Sequence, residues 1–285
     1  MTEITVTAEE KAAGTLADDH LRAALSALDE DGFVVLHGAV DPAHVTALRD
    51  KLFADLPHWL ARDDAPYNFN TGNVQQDAPP FPPYLFRDVL ANDFVIAITK
   101  AALGTGVKNG FYSGNTAVPG GHARQPVHPD VAQIWPNLSV ATPPFGLVVN
   151  VPLVDMDARN GSTEIWPGTH RDTTYSLRDG SIRIPETVLE ARRAVRPPLQ
   201  PTVPAGGIMI RDIRLWHAGM PNHTDTPRPM LAMIHWANWW CSTDRLRFPK
   251  GTEELLAHPD LHTVADFTDE PIEYLRNNQA YDFRK

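Results

Sequence analysis

The chain has 285 residues, of which 42% are hydrophobic and 21% are charged, a composition that excludes a disordered chain and allows a sizeable core. The formal net charge of −10 disfavours nucleic acid as a partner, because duplex-binding proteins present a basic face. No apolar stretch approaches the roughly 20 residues of a membrane span, and no secretory signal is visible. With only one cysteine, Cys241, the sequence predicts a cytoplasmic protein without disulfides or membrane contact.

The first part of the chain predicts helices around one buried strand. Residues 1–16 are polar, and we expect them to be frayed. The apolar run over 32–38 predicts a buried strand. Leucines at three- and four-residue spacing predict an amphipathic helix over 18–30, and further helices are predicted over 41–60 and 92–103. Asp41 is suited to cap the second of these helices.

A long polar segment over residues 62–84 interrupts this pattern. It is rich in Asn, Gln, Gly and Pro, the residues typical of loops. Long polar loops inside a domain often cover a binding site. We therefore predict a lid-like loop at 62–84.

The later part of the chain predicts short strands separated by turns. Strand-like runs occupy 111–118, 145–154, 207–212 and 230–238. Helices followed by many short strands indicate an α+β fold with a β-sandwich or barrel core. We predict one domain over residues 1–285, with 241–285 as a C-terminal extension.

The tripeptide His128-Pro129-Asp130 is a candidate metal-binding motif, since side chains two residues apart share one face of an extended segment. Two histidines and one carboxylate leave open positions on iron(II), as oxygenases require. The same tripeptide recurs at 258–260, after a predicted helix and without a partner downstream. We expect only the first copy to bind metal.

The partner of the first copy lies in residues 206–228. A glycine turn leads into an apolar strand that ends at His217, and Arg228 follows eleven residues later at the start of another strand. Antiparallel pairing would place both side chains on one face, where the arginine could hold a dicarboxylate that chelates the metal. Two further histidines, His223 and His235, do not keep this spacing.

Three blocks of sequence resemble the phytanoyl-CoA dioxygenase superfamily of 2-oxoglutarate oxygenases: QPVHPD (125–130), NVPLVDMDARNGSTEIWPGTH (150–170) and RLWHAGMPN…PR (214–228). The resemblance extends over most of residues 18–240 and implies a double-stranded β-helix, or jelly-roll, fold. It also implies iron(II) with 2-oxoglutarate and O₂ as co-substrates.

The resemblance assigns roles to single residues. It implies that His128, Asp130 and His217 bind the catalytic iron and that Arg228 holds the distal carboxylate of 2-oxoglutarate. Halogenases of this type lack the carboxylate ligand, so the presence of Asp130 disfavours halogenation. Hydroxylation, oxidation to a ketone, desaturation, epimerisation and oxidative ring closure stay open.

Other residues are predicted to line the pocket. Asn115 and Trp135 are candidates for contact with 2-oxoglutarate or for the pocket wall. The predicted substrate contacts are Gln75, Gln76 and Asp77 in the lid-like loop, with Glu164 and His170 beside the 160–170 block.

The blocks 73–80, 112–120 and 160–170 resemble actinobacterial dioxygenases that tailor aminoglycoside antibiotics. This resemblance and the acidic charge predict a polar, cationic small-molecule substrate, with oxidation to a ketone or oxidative orthoester closure among the outcomes. A zinc-dependent hydrolase and a non-catalytic jelly-roll binding protein are the alternatives. The oligomeric state stays open.

Overall fold

The computed structural model describes residues 1–69, 72–120, 123–135, 137–174, 182–242 and 244–278, in which most of the helices precede the central strands. The α-helices are α1 (Ala8–Ala13), α2 (Asp18–Glu30), α3 (Pro42–Leu60), α4 (Arg87–Leu90), α5 (Asp93–Leu103), α6 (Glu186–Val195) and α7 (Glu253–Leu256). Short 3₁₀ turns cover Thr169–Arg171 and Tyr274–Arg276. None of the described helices is both long and apolar enough to cross a membrane.

The strands are β1 (Glu3–Thr5), β2 (Phe33–His37), β3 (Tyr67–Asn68), β4 (Asn73–Gln75), β5 (Val107–Ala117), β6 (Gly146–Pro152), β7 (Glu164–Ile165), β8 (Ile208–Asp212), β9 (His217–Ala218), β10 (Arg228–Trp236), β11 (Leu246–Pro249), β12 (Leu261–Thr263) and β13 (Ala265–Thr268). The main sheet runs in the order β1-β2-β8-β6-β10-β5-β4-β3, with β12 beside β5. Its central pairs are antiparallel, and Ala232 of β10 lies opposite both Asn150 of β6 and Ser113 of β5.

A smaller sheet packs against the main sheet. Its strands β7 and β9 are antiparallel, with Ile165 opposite His217, and an isolated bridge adds His128 beside His217. Apolar side chains from both sheets, among them Val35, Met209 and Ile165, form one buried cluster. These two sheets therefore form a sandwich whose interior lies between them.

The helices cover the other face of the main sheet. Leu48 of α3 and Ile96 of α5 share one core cluster with Leu147 and Val149 of β6. Because neighbouring strand residues point to opposite faces, Val148 and Asn150 point to the interior of the sandwich. The same alternation in the neighbouring strands aims their functional side chains inward.

The predicted elements are largely confirmed. The helix predicted over 18–30 is α2, and Asp41 caps α3 by accepting a hydrogen bond from the backbone N–H of Ala43 at 2.8 Å. The four predicted strand runs correspond to the four long central strands β5, β6, β8 and β10. The lid-like segment contains the short strands β3 and β4, and its residues 70 and 71 lie outside the described part.

The N-terminus differs from the expected frayed segment. Residues 3–5 form β1, which pairs in parallel with β2, and residues 8–13 form α1. Thr7 and Glu10 make a reciprocal capping box, and the Glu10 carboxylate also accepts from the Ala17 N–H at 2.7 Å. The Glu10 carboxylate thus fixes both the start of α1 and the turn after it. The polar composition of the segment gave no indication of this order.

The C-terminal extension returns to the body of the protein. Its strand β12 joins the main sheet beside β5, and β11 pairs with β13. Residues 274–278, here called the C-terminal strap, cross α3: the Tyr274 hydroxyl donates to Asp55 at 2.7 Å. Arg62 donates to the carbonyls of Leu275 and Asn278 at 3.2 and 2.7 Å.

Candidate active site

Three side chains that could hold a metal converge between the two sheets. The backbones of His128 and His217 exchange hydrogen bonds of 3.0 and 2.9 Å, and the Asp130 N–H donates to the Ile213 carbonyl at 3.1 Å. One ligand atom from each of His128, Asp130 and His217 lies within 4.8 Å of the others. Strand pairing thus builds the triad from segments nearly 90 residues apart.

Both imidazole rings are oriented by their own backbone. The Nδ1 of His128 is 2.7 Å from the Pro126 carbonyl, and that of His217 is 3.0 Å from the Leu215 carbonyl. A carbonyl only accepts, so each Nδ1 carries the proton and each Nε2 presents a lone pair. Burial lowers the pKa of His128, and burial with the Arg211 charge lowers the pKa of His217 to about 3. Both rings are therefore neutral, as metal ligands must be.

Asp130 is held by an arginine that the sequence analysis missed. Arg211 of β8 donates from Nη2 to Oδ2 of Asp130 at 2.7 Å. Burial would raise the pKa of Asp130, but the charges of Arg211 and the two histidines outweigh it and keep that pKa well below its usual range. Oδ1 lies 3.5 Å from Nε2 of His217, so one oxygen is clamped while the other is directed at the metal position.

The other candidate histidines lie apart from this triad. The His235 ring bonds Thr99 of α5 at 2.9 Å, on the opposite face of β10. His223 is exposed in the turn that precedes β10. In the second His-Pro-Asp copy, His258 contacts Asp93 at 3.1 Å in a turn after α7.

Arg228 has a buried guanidinium without a carboxylate partner among the described residues. Its side chain donates to the carbonyls of Gly161 at 2.8 Å and Asn115 at 3.4 Å, and its Nε has no partner there. Only 1% of the residue is exposed, and burial lowers its pKa to about 10. A buried cation without a counter-ion is costly, so this position fits the carboxylate of a bound dicarboxylate.

The triad and Arg228 open onto one cavity of about 650 Å³. The predicted pocket residues Asn115 and Gln75 line it. Trp135 does not, and it is 51% exposed. It lies in the irregular segment after Asp130, where no strand alternation directs its side chain inward.

The remaining predicted substrate contacts point elsewhere. Gln76 follows Gln75 in extended chain, so it faces the opposite side, where it bonds the Leu52 carbonyl and Thr116, each at 2.7 Å. Asp77 accepts hydrogen bonds from Ser113 and Asn278, and burial raises its pKa. Neither Gln76 nor Asp77 is among the residues that line the cavity.

Glu164 and His170 also lie outside the cavity lining. Arg124 and the indole N–H of Trp166 donate to Glu164 at 2.5 and 2.8 Å. His170 is 3% exposed and contacts the Asp29 carbonyl at 3.1 Å. Both side chains therefore stabilise the smaller sheet and its neighbours rather than face the metal position.

Several lining residues were not predicted. Phe69 lies beside the His128 ring, with centroids 4.7 Å apart, and the side chain of Gln125 accepts from the Gly219 N–H at 2.8 Å. Asn277 and Asn278 of the C-terminal strap complete the wall. Asn150 did leave a signal in the sequence, since it is a polar side chain inside an otherwise apolar strand, and Arg211 directly follows three apolar residues of β8.

Solved structures of low sequence identity share this architecture. AviO1 from Streptomyces viridochromogenes Tue57 is 20% identical, with a TM-score of 0.59 over 80% of this chain and 99% of that chain. The non-heme alpha-ketoglutarate-dependent carbocyclase SnoK from nogalamycin biosynthesis is 17% identical, with a TM-score of 0.56 over 78% and 84%. The corresponding epimerase SnoN is 16% identical, with a TM-score of 0.55 over 77% and 84%. This likeness confirms the predicted jelly-roll fold.

A family profile matches most of the chain as well. The match to phytanoyl-CoA dioxygenase (PhyH) covers residues 28–230, which include His128, Asp130, His217 and Arg228. The neutral imidazoles, the clamped carboxylate and the unpaired arginine fit iron(II) and 2-oxoglutarate. The chain therefore belongs to the phytanoyl-CoA dioxygenase (PhyH) family and is an oxygenase that depends on iron(II), 2-oxoglutarate and O₂.

Proposed function

We propose that this oxygenase oxidises a C–H bond of a hydroxyl-bearing natural product in antibiotic biosynthesis. Two of its structural neighbours are a carbocyclase and an epimerase from nogalamycin biosynthesis. The cavity supports such a substrate through side-chain amides, which both donate to and accept from hydroxyl groups: Gln75, Asn115, Gln125, Asn150, Asn277 and Asn278.

Each residue of the site has a proposed role. His128, Asp130 and His217 hold iron(II), and Arg211 keeps Asp130 oriented. Arg228 fixes the far carboxylate of 2-oxoglutarate by a charge-assisted contact. Bound iron with 2-oxoglutarate and O₂ supplies the oxidising power for C–H cleavage. Phe69 and the strand side chains around the triad exclude water from the reacting centre.

The observation that carries this proposal is Arg228. A zinc hydrolase does not need, in the cavity of its metal, a buried guanidinium that lacks a carboxylate partner among the described residues, whereas 2-oxoglutarate supplies that carboxylate. The test is to measure succinate and CO₂ formed from 2-oxoglutarate by the iron-loaded protein. Formation above the protein-free background supports the proposal, and hydrolysis of an ester or amide without succinate would replace it.

The cationic aminoglycoside remains a more specific prediction. It rests on the sequence blocks and on the acidic net charge, whose attraction for a polycation would weaken with salt. Asp77 and Glu164, the carboxylates assigned to this contact, are engaged by other residues, and Asp130 is the sole carboxylate in the described lining. A screen of aminoglycosides against neutral hydroxylated compounds, read as substrate-stimulated succinate, decides between the two classes.

A cytoplasmic location belongs to the same proposal. Cys241 is a free, exposed thiol, which suits a reducing compartment. Fractionation of the producing cells tests the location.

A further inference from the structure

The two ends of the active-site cavity differ in chemistry. Alternate residues of β10 line it in the order Arg228, Met230, Ala232, Ile234 and Trp236. Eight residues of strand span about 26 Å, so a charged group and an indole ring mark opposite ends of one wall. Asn115 lies opposite Met230 near the first end and Asn150 lies opposite Ala232 at the middle, whereas the side chains towards Trp236 are mostly apolar.

The second end is mostly apolar and borders the Arg211–Asp130 ion pair, since Arg211 lies opposite Val148. Ile234 lies opposite Val148 of β6, and Phe111 of β5 lines the same region. Val131 and Ile213 extend this surface to the metal position, since the Asp130 N–H bonds the Ile213 carbonyl. Together with Trp236, these side chains form what we call the apolar end: Phe111, Val131, Val148, Ile213, Ile234 and Trp236.

Trp236 is held in place before any ligand arrives. Its ring stacks on Trp240, with centroids 5.0 Å apart and planes at 10°, and Phe145 stacks on Trp240 at 4.9 Å. Gly146 leaves room for it, because a Cβ there would lie 2.6 Å from Cζ3 of Trp236. A ring that is already fixed loses little conformational freedom when a ligand packs on it.

We propose that the apolar end binds an apolar ring of the substrate, next to the carbon that is oxidised. The substrate is then amphiphilic, with a hydroxylated part facing the amides and a ring facing Trp236. A fully hydrated polycation would leave its polar groups unpaired against this surface. The inference rests on the proposed function, since it concerns the substrate of the same metal site.

The test is a pair of glucosides that differ only in the aglycone, 2-naphthyl β-D-glucopyranoside and methyl β-D-glucopyranoside. Each is titrated calorimetrically into the iron- and 2-oxoglutarate-loaded protein without O₂. We expect the naphthyl compound to bind at least about tenfold more tightly, because its ring is removed from water. Equal affinities, or no binding of either glucoside, would overturn the proposal.

Variants locate the effect within the cavity. Trp236→Ala and Ile234→Ala should each reduce the naphthyl preference, and two independent substitutions guard against a misfolded variant. Trp239→Ala is the matched control, because Trp239 is 59% exposed and is not part of the lining, so it should keep the preference. If Trp239→Ala lost the preference while the two cavity variants kept it, the assignment to the apolar end would be wrong.

The experiments distinguish a failure of this inference from a failure of the proposed function. Succinate formation from 2-oxoglutarate with no preference for the naphthyl compound would overturn this inference alone. Naphthyl binding without binding or turnover of 2-oxoglutarate would leave the apolar end in place but refute the oxygenase.

Discussion

At the residue scale, the metal position depends on bonds that each ligand makes close to itself. The Nδ1 atoms of His128 and His217 both donate to the carbonyl two residues earlier in the chain. Each ring orientation is therefore fixed within its own short segment of chain. Asp130 is different, because its orientation depends on Arg211, 81 residues away.

Alanine at His128, Asp130 or His217 should abolish stoichiometric iron binding, since two ligands do not hold iron(II) firmly. Iron per chain is measured after anaerobic reconstitution. His223→Ala is the control, because this exposed histidine was the nearest sequence rival to His217. Full iron content in His217→Ala together with loss in His223→Ala would refute the assignment.

Arg228→Ala should raise the KM for 2-oxoglutarate about 100-fold, because a charge-assisted contact inside a buried site is lost. The KM of Arg228→Lys should lie between those of the wild type and Arg228→Ala, since lysine keeps the charge but not the bidentate geometry. Arg124→Ala removes an arginine that pairs with Glu164 outside the cavity lining and should leave the KM unchanged. An unchanged KM in Arg228→Ala would exclude its proposed role.

At the element scale, the turn before β7 supports Arg228 through the Gly161 carbonyl. Gly161 has φ +83°, and a Cβ there would lie 2.7 Å from the Met220 carbonyl oxygen. Gly161→Ala should lower the free energy of unfolding by about 2–4 kcal/mol, from the left-handed backbone and the clash together, and should weaken 2-oxoglutarate binding.

Gly251→Ala is the matched control for this glycine. Its φ of +86° is nearly the same, but nothing lies within 4 Å of the added Cβ. Gly251→Ala should lower the free energy of unfolding by only about 1 kcal/mol, because it strains the left-handed backbone without causing a clash. Denaturant unfolding measures both variants, and equal losses would show that the clash is relieved without cost.

The buried carboxylate of Glu10, near the start of the chain, predicts how the stability of the fold changes at low pH. Burial would raise the pKa of Glu10, but backbone bonds from Thr7 and Ala17 and the contact with His20 outweigh it and lower that pKa to about 2, from 4.5. The carboxylate therefore stabilises the fold above pH 4.5 and loses this effect as pH falls towards 2. The stability gap between wild type and Glu10→Gln, from urea unfolding at several pH values, should narrow below pH 4.5. A gap that does not vary with pH would contradict this.

Strand periodicity made the centre of the fold and the triad predictable, because alternation places His128 with Asp130 and Arg228 with Trp236 on inner faces. The surroundings of the predicted substrate-contact residues were not predictable in the same way. Asp77 and Glu164 look like free carboxylates in the sequence, and only distant partners, Asn278 and Arg124, show that they are engaged. Such pairings depend on how separate segments pack, which local sequence does not encode.

At the scale of the whole molecule, the C-terminal strap closes the cavity from outside the family match, which ends at residue 230. Arg62→Ala should free it, because Arg62 donates to two of its carbonyls. We expect faster hydrogen exchange over residues 274–278 with little change in global stability.

Arg49→Ala is the control for the strap, since this arginine of α3 pairs only with its neighbour Asp50 among the described residues. It should leave exchange over 274–278 unchanged. Equal exchange in Arg62→Ala and wild type would show that the strap is held without Arg62, by the bonds of Tyr274 to Asp55 and of Asn278 to Asp77.

The strap also has a consequence for the order of events during synthesis. The Tyr274 hydroxyl bonds a residue made 219 positions earlier, whereas both metal-binding strands and Arg228 have been translated by residue 230. A ribosome-bound chain can thus assemble the metal position while the wall formed by Asn277 and Asn278 is still missing. The metal-binding residues are therefore synthesised first, and the substrate wall can be completed only after residues 277 and 278 have been made.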